Sequence, residues 1–425
     1  MIAGACLSAG NVARAQGGYP YTPYPTLHPY ATPQPYAGQP PQPQMLPQDS
    51  GFFYDFDSRV DLIIRETIRG TYMRLEYLNW DVQKPGRHLL GAPVDGVDNP
   101  RNPFIVQTPS GSIGVAESQS TDGVDFRDLN GIRGTIGIPL QDVTLEGNVW
   151  GLAPGSHRIQ DPAFLRNNSA QFPRFIAVGL LSDGDVSSRV LLYDESFVAD
   201  YDNDTWGSDI NIYYHHWNAS EGIAIQPLLG FRYLRYDERL NMRGVFNNSS
   251  GAIPGGIISD PAVSQIKASS MNSVYSLQTG FRSELRHRWF TVGFEPKIAF
   301  GANDFTSRVM TAHLRDFDDP NIVDGPFDVD DPPNALDPDP VRSSVSRLLF
   351  TPTLDLGVYA SIPLSNWANL RVGYNFMLAG NIVRADRAIY YNDEGIANPP
   401  AVRARERTEA MWVQGLSVGG EIILP

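Results

Sequence analysis

From Gly70 to the end of the chain, apolar and polar residues alternate by twos. In Leu228–Leu240, "LLGFRYLRYDERL", Leu229, Phe231 and Tyr233 fall on one face and Gly230, Arg232 and Leu234 on the other. That period belongs to a strand, not a helix. Ten strands are predicted near 70–80, 127–138, 142–152, 205–217, 222–236, 271–286, 289–302, 348–362, 367–378 and 410–424. Four connections are tight: Pro139–Gln141, Asn218–Glu221, His287–Arg288 and Pro363–Asn366. Five are long: 81–126, 153–204, 237–270, 303–347 and 379–409. Tight and long connections alternate strictly, so an antiparallel meander carries all tight turns at one end. Membrane barrels have this asymmetry; a soluble sandwich has no reason for it. The predicted fold class is therefore all-β, an antiparallel transmembrane β-barrel of about ten strands. Twelve stay possible, because 188–201, "SRVLLYDESFVADY", can form a further pair with part of its loop.

The faces sharpen the picture. Phe290, Val292, Phe294, Ile298 and Phe300 alternate with Glu295 and Lys297. In lipid, a charge at mid-depth costs about 2–4 kcal/mol. The charged positions Arg232, Arg282, Glu284, Glu295, Lys297 and Arg371 must then point inward, which makes them the candidate lumen lining. A barrel of about eight strands encloses only side chains, whereas about sixteen leave a channel. Ten lies near the closed end, so a solute passage and a lumen sealed by ion pairs both remain open. All seven tryptophans fall near strand ends, the depth of an interfacial belt. Strict parity nevertheless puts Trp80, Trp150, Trp217, Trp289 and Trp367 on the polar face.

Ahead of the strands, "MIAGACLSAGNVARAQ" is small and apolar, with Ala13-Arg14-Ala15 as a cleavage site. Residues 1–15 are predicted to be a signal peptide; a lipobox at Cys6 is the weaker reading. That cysteine is the only one, so the processed chain has no disulfide and no zinc–thiolate site. Residues 16–50 are Pro- and Tyr-rich and predict an extended tether. Residues 51–69 contain one short helix or plug segment, and 70–425 form the barrel. No apolar run reaches the length of a membrane helix.

The net charge of −14 argues against nucleic-acid partners. Nearly all of it lies in 81–125, 153–204 and 302–347. The acidic stretch 328–339, with Asp328, Asp330, Asp331, Asp337 and Asp339, has Pro333 where a calcium loop needs glycine. It reads as a solvated loop at one mouth. There is no HExxH, CxxC or P-loop motif. His215-His216 sit beside a tight turn as an interfacial pair. His88, His157 and His313 lie in long loops among aspartates, where an outer-rim hydrolase site is conceivable but unsupported by spacing.

Several blocks resemble the family of planctomycete outer-membrane β-barrel porins. They are "YMRLEYLNW" (72–80), the block 228–240, "SVYSLQTGFRSELRHRWFTVGFEPKIAFG" (273–301), "LRVGYNFMLAGNIVRADRAI" (370–389) and "WVQGLSVGGEIIL" (412–424). The resemblance covers about 70–424 in order and implies a barrel in the cell outer membrane. Its partners would be outer-membrane lipid and the barrel-assembly machinery. One departure is the end, Leu424-Pro425, in place of a terminal aromatic. The expected function is porin-like passage of small solutes or ions with mild cation preference. The alternative is a non-conducting structural or surface-interaction barrel. No enzymatic role and no cofactor are expected.

Overall fold

A computed structural model describes residues 69–108, 111–182, 189–215, 222–251, 261–312, 314, 342–394 and 402–424. The expected signal peptide, the tether and residues 51–68 lie outside these. So do His216, Trp217, the Asn218–Glu221 turn, His313 and the acidic stretch with Asp328, Asp330, Asp331, Asp337 and Asp339.

Ten strands form a closed ring: β1 (Tyr72–Val82), β2 (Leu129–Pro139), β3 (Val143–Leu152), β4 (Ser196–Tyr214), β5 (Gly222–Phe246), β6 (Ala262–His287), β7 (Phe290–Ala312), β8 (Arg342–Pro363), β9 (Ala368–Val383) and β10 (Thr408–Ile423). Each pairs antiparallel with the next in sequence, and β10 closes on β1 from Tyr72↔Ile423 to Val82↔Val413. Closure removes the open edges of the sheet wherever neighbouring strands overlap, so the ladder groups of the lower wall are paired within it. The segment 188–201 adds no barrel strand. Arg189–Tyr193 joins a separate sheet, and Ser196 onward is the start of β4.

The strands are built in two storeys with opposite polarity. At the tight-turn end the outward side chains are apolar and exposed: Leu75, Ile132, Ile210, Leu229, Leu277, Phe300, Val358, Val372 and Leu416. The inward ones are Arg74, Glu76, Glu146, Asp209, Arg232, Arg282 and Glu295, all buried. At the long-loop end the pattern inverts. On β4 the outward positions become Asp200, Asp202 and Asp204 while Phe197, Ala199 and Tyr201 turn inward. On β5 Leu234, Tyr236, Leu240 and Met242 are buried inside, and Arg239 and Arg243 lie exposed outside. The lower storey is solvated by lipid outside, so its polar groups must be inside; the upper one is surrounded by water and has an ordinary apolar core.

This inversion corrects the predicted boundaries. Strands β4 to β8 run past the expected ends, to Ser196, Phe246, Ala262, Ala312 and Arg342 at the long-loop end. Much of the expected 237–270 loop is therefore strand. The alternation continues there, but with its apolar residues on the other face.

Chain from three long loops fills the upper storey. Phe104–Thr108, Gly111–Glu117, Arg174–Ser182, Arg189–Tyr193 and Asn392–Glu394 make a five-stranded sheet with two parallel pairings. A short helix, Pro162–Arg166, starts where the Asp161 carboxylate accepts from the Phe164 N–H (2.9 Å). Buried Phe126, Phe175, Ile176 and Leu180 continue one core with Tyr201, Tyr236 and Leu240 of the barrel wall. This cap seats directly in the mouth of the barrel. Two tryptophans belong to that core, not to a lipid belt. Trp80 and Trp150 face inward with ring centroids 5.0 Å apart. Trp206, Trp289 and Trp367 are exposed on the outside.

Candidate functional site

The lower interior is a network of ion pairs spanning the lumen. Period-two alternation on ten strands delivers a charged or hydrogen-bonding side chain from every one of them. Arg282 on β6 donates to Glu295 on β7 (2.8 Å) and to both oxygens of Glu146 on β3 (2.9 and 3.1 Å). β3 and β6 are not neighbours in the ring, so this contact crosses the barrel. Arg232 on β5 pairs with Asp209 on β4 (2.6 Å) and reaches across to Asp355 on β8. Lys297 binds Glu295 at 2.9 Å and approaches Asp355 at 3.9 Å. Arg133 on β2 holds Glu76 on β1 (2.7 Å) and donates to Asn375 on β9 (3.2 Å). Arg74 pairs with Glu421 at 2.9 Å.

Aromatic hydroxyls complete the acceptors. Tyr213 donates to Glu295 (2.7 Å), Tyr72 to Glu146, and Tyr359 to Glu284 (2.5 Å). The Tyr72 and Tyr359 rings lie over Gly137 and Gly293, where a Cβ would overlap them. Those inward glycines make room for rings that bring a hydroxyl to a carboxylate. Arg371 packs 3.4 Å over the Tyr359 ring and lies 3.9 Å from Glu76, with its Nε unsatisfied.

All six residues singled out by parity, Arg232, Arg282, Glu284, Glu295, Lys297 and Arg371, thus point into the barrel. Five of them are less than a tenth exposed. Several of their partners were not singled out from the sequence, among them Arg74, Glu76, Arg133, Asp209 and Asp355. The signal was available, since each is a charge at inward parity on a strand with an apolar outer face. The space left among these groups is a cavity of about 40 Å³, lined by Arg74, Arg133, Glu146, Arg282, Lys297 and Arg371 among others. Roughly 10–15 Å³ of such space is enough for one water, so the gap can hold a few waters among the ion pairs.

A second cluster closes the mouth. Arg384, just beyond β9, is fully buried and clamps Glu238 of β5 (2.6 Å) while donating to the Lys84 carbonyl (3.1 Å). Tyr201 donates to Glu238 (2.8 Å) and to Asp386 (3.0 Å). His88 Nδ1 lies 2.6 Å from the other Asp386 oxygen. Burial raises the Asp386 carboxyl, but the His88 hydrogen bond and Arg384 outweigh it and hold it below the usual range. Loop 83–128, loop 384–407 and two barrel strands are thereby tied at one point. His157 and His215 are elsewhere: His215 approaches Thr144 at 2.8 Å beside a tight turn. Among the described residues, no group of three or more His, Cys, Asp or Glu is arranged to hold a metal ion.

A family model described as "Putative beta barrel porin-7 (BBP7)" matches residues 72–423, the whole ring. No curated protein matches the chain in sequence. Among solved structures it is similar to the outer membrane protease OmpT from Escherichia coli (11% identity, 84% of this chain and 97% of that one, TM-score 0.42). It is also similar to a Pseudomonas aeruginosa FadL homologue (8% identity, 84% and 90%, TM-score 0.24). No chemistry is carried over from either.

Proposed function

The chain belongs to the BBP7 family of outer-membrane β-barrels, and from that premise we propose that it is a closed barrel whose task is to hold a folded cap at the cell surface. The observation that carries this reading is the Arg282 bridge from β6 to Glu146 on β3, with the Arg232–Asp355 contact beside it. Buried pairs of this kind span the lumen within the lower storey, where a passage would need water. Above them the apolar core and the Arg384 clamp obstruct the same axis. The charges then act as structural glue: each is desolvated, and each has a partner that offsets much of that cost. By the general asymmetry of such barrels the tight turns face the periplasm and the cap faces outward.

Porin-like passage with mild cation preference is the second reading. It is favoured by the polar character of the lumen and by the acid-rich long loops. It requires the cap and the ion network to move together. Swelling of proteoliposomes holding the full chain separates the two. The closed reading predicts swelling in a small sugar no faster than protein-free vesicles. Swelling that scales with protein and falls with solute size would support passage.

A further inference from the structure

The outer wall above the lipid-facing band carries a sector of exposed cations. Arg239 (β5), Lys267 (β6), Arg308 (β7) and Arg342 (β8) are all exposed at outward parity. Arg239 is opposite Ser269, which is opposite Arg308, which is opposite Ser344. One row further, Asn241, Lys267, Met310 and Arg342 are opposite one another in turn. The four cations therefore alternate between two adjacent rows of one continuous sheet. Among the described residues none of them is in an ion pair, whereas nearby Arg235 is held by Asp237 (2.9 Å) and Arg347 by Glu406 (2.9 Å).

Their depth is fixed by the girdle beneath. Trp206, Tyr233 and Tyr275 form a chain of outward rings with centroids 5.0 and 5.1 Å apart. The last row of these strands with an outward aromatic ring contains Trp206, Arg235, Ser273, Asp304 and Leu348 in register. Arg239 and Arg308 are four residues above that row, Lys267 and Arg342 six. At roughly 3.4 Å per residue and a tilt of about 40° those rows are roughly 10 and 16 Å higher. Long basic side chains reach several ångströms back toward the membrane. The charged ends are then within reach of the headgroup layer below them. The sector is also bounded: β4, next to β5, presents Asp200, Asp202 and Asp204 outward at the same level. In a chain of net charge −14 such a concentration of cations is local.

We infer that this wall binds the phosphorylated headgroup of an outer-leaflet lipid, with Arg239, Lys267, Arg308 and Arg342 as phosphate ligands. The assignment uses the cap-outward orientation; the binding itself does not depend on whether the lumen is closed. The test is native mass spectrometry of the full chain in a non-ionic detergent doped with diphosphoryl lipid A. The arms are the wild type, the variant R239Q/K267Q/R308Q/R342Q, the same lipid after phosphatase treatment, and excess inorganic phosphate as competitor. All four residues are exposed, and retained heat-modifiable migration on gels verifies that the variant folds. Wild type should retain the lipid and the variant should retain at least about tenfold less, the loss shrinking in high salt. The phosphatase-treated lipid should not be retained, and inorganic phosphate should compete poorly. No retention by the wild type, equal retention by the variant or of the dephosphorylated lipid, or complete competition by inorganic phosphate would each overturn the inference.

Discussion

Replacing Arg282 by methionine tests the interior network at its most connected point. The guanidinium touches Glu146 and Glu295 and lies 3.9 Å over the Tyr213 ring. All three acidic and basic groups are buried. Without Arg282, Glu295 keeps Lys297 at 2.9 Å and the Tyr213 hydroxyl at 2.7 Å. Glu146 keeps the Tyr72 hydroxyl, a long contact from Tyr213 (3.4 Å) and the more distant charge of Arg74, with no guanidinium hydrogen bond. Stranding a buried charge in this way costs about 3–5 kcal/mol. The cost should come mainly from Glu146, so Arg282→Met with Glu146→Gln should recover about 2 kcal/mol of it. Arg282→Lys should fall between, because an ammonium lacks the fork that grips two carboxylates at once. Equilibrium urea unfolding in lipid vesicles, followed by tryptophan fluorescence, gives the stabilities of the wild type, both single variants Arg282→Met and Glu146→Gln, the double variant and Arg282→Lys. A loss under about 1 kcal/mol in the single variant, or strict additivity in the double, would mean that water already screens these groups and the lumen is wet.

Other consequences are more local. Leu277, exposed in the lipid-facing band of β6, should cost about 2–4 kcal/mol when replaced by arginine, whereas a charge above the girdle on the same strand, Ser269→Glu between Arg239 and Arg308, should be neutral or slightly stabilising by the same unfolding assay. Glu117 in the cap is pushed up to about 7, first by burial and then by the neighbouring Asp161 charge. A carboxyl raised in the folded state favours folding while protonated, so cap stability should decline as pH rises from about 4.5 to 7; Glu117→Gln should flatten that profile in hydrogen exchange of the cap sheet. Asp386 has the opposite sign: its carboxyl is held low, so its contribution is present above the ordinary carboxylate value and disappears as pH falls through the lowered one. Limited proteolysis should therefore cut the 384–394 segment faster in acid, and Asp386→Asn should show that fast cleavage at neutral pH.

Much of the lower storey was legible in the sequence. Leu229, Phe231 and Tyr233 against Arg232 already state which face meets lipid, and the tight turns at 139–141, 287–288 and 363–366 fix the meander. Inward placement of Lys297 and Glu295 followed from the cost of a charge in hydrocarbon. The upper storey was hidden for a specific reason. Past Tyr233 the period stays two, but Leu240 and Met242 have changed faces relative to Leu229. A rule that follows the apolar face outward ends the strand there. Partner choice was hidden too. Parity brings Arg282 and Glu146 into the same lumen, but only the curvature of the closed ring brings β3 within reach of β6, three strands away. Arg384 gave no local signal, because a lone arginine after a strand is usually solvated; its burial depends on Glu238, distant in sequence. Trp80 and Trp150 show the converse: their polar-face parity was the correct clue, and depth alone misassigned them to a belt.

The central claim is that the lumen is sealed, and planar-bilayer recording of the full-length protein tests it most directly. With incorporation verified by heat-modifiable migration of the same preparation, the account predicts no sustained unitary conductance in 1 M KCl over the wild-type protein's ordinary voltage range. Long-lived, uniform open steps from the wild type would contradict it, and a reversal potential in a KCl gradient would then report the selectivity of a passage through the Arg282–Glu146 layer.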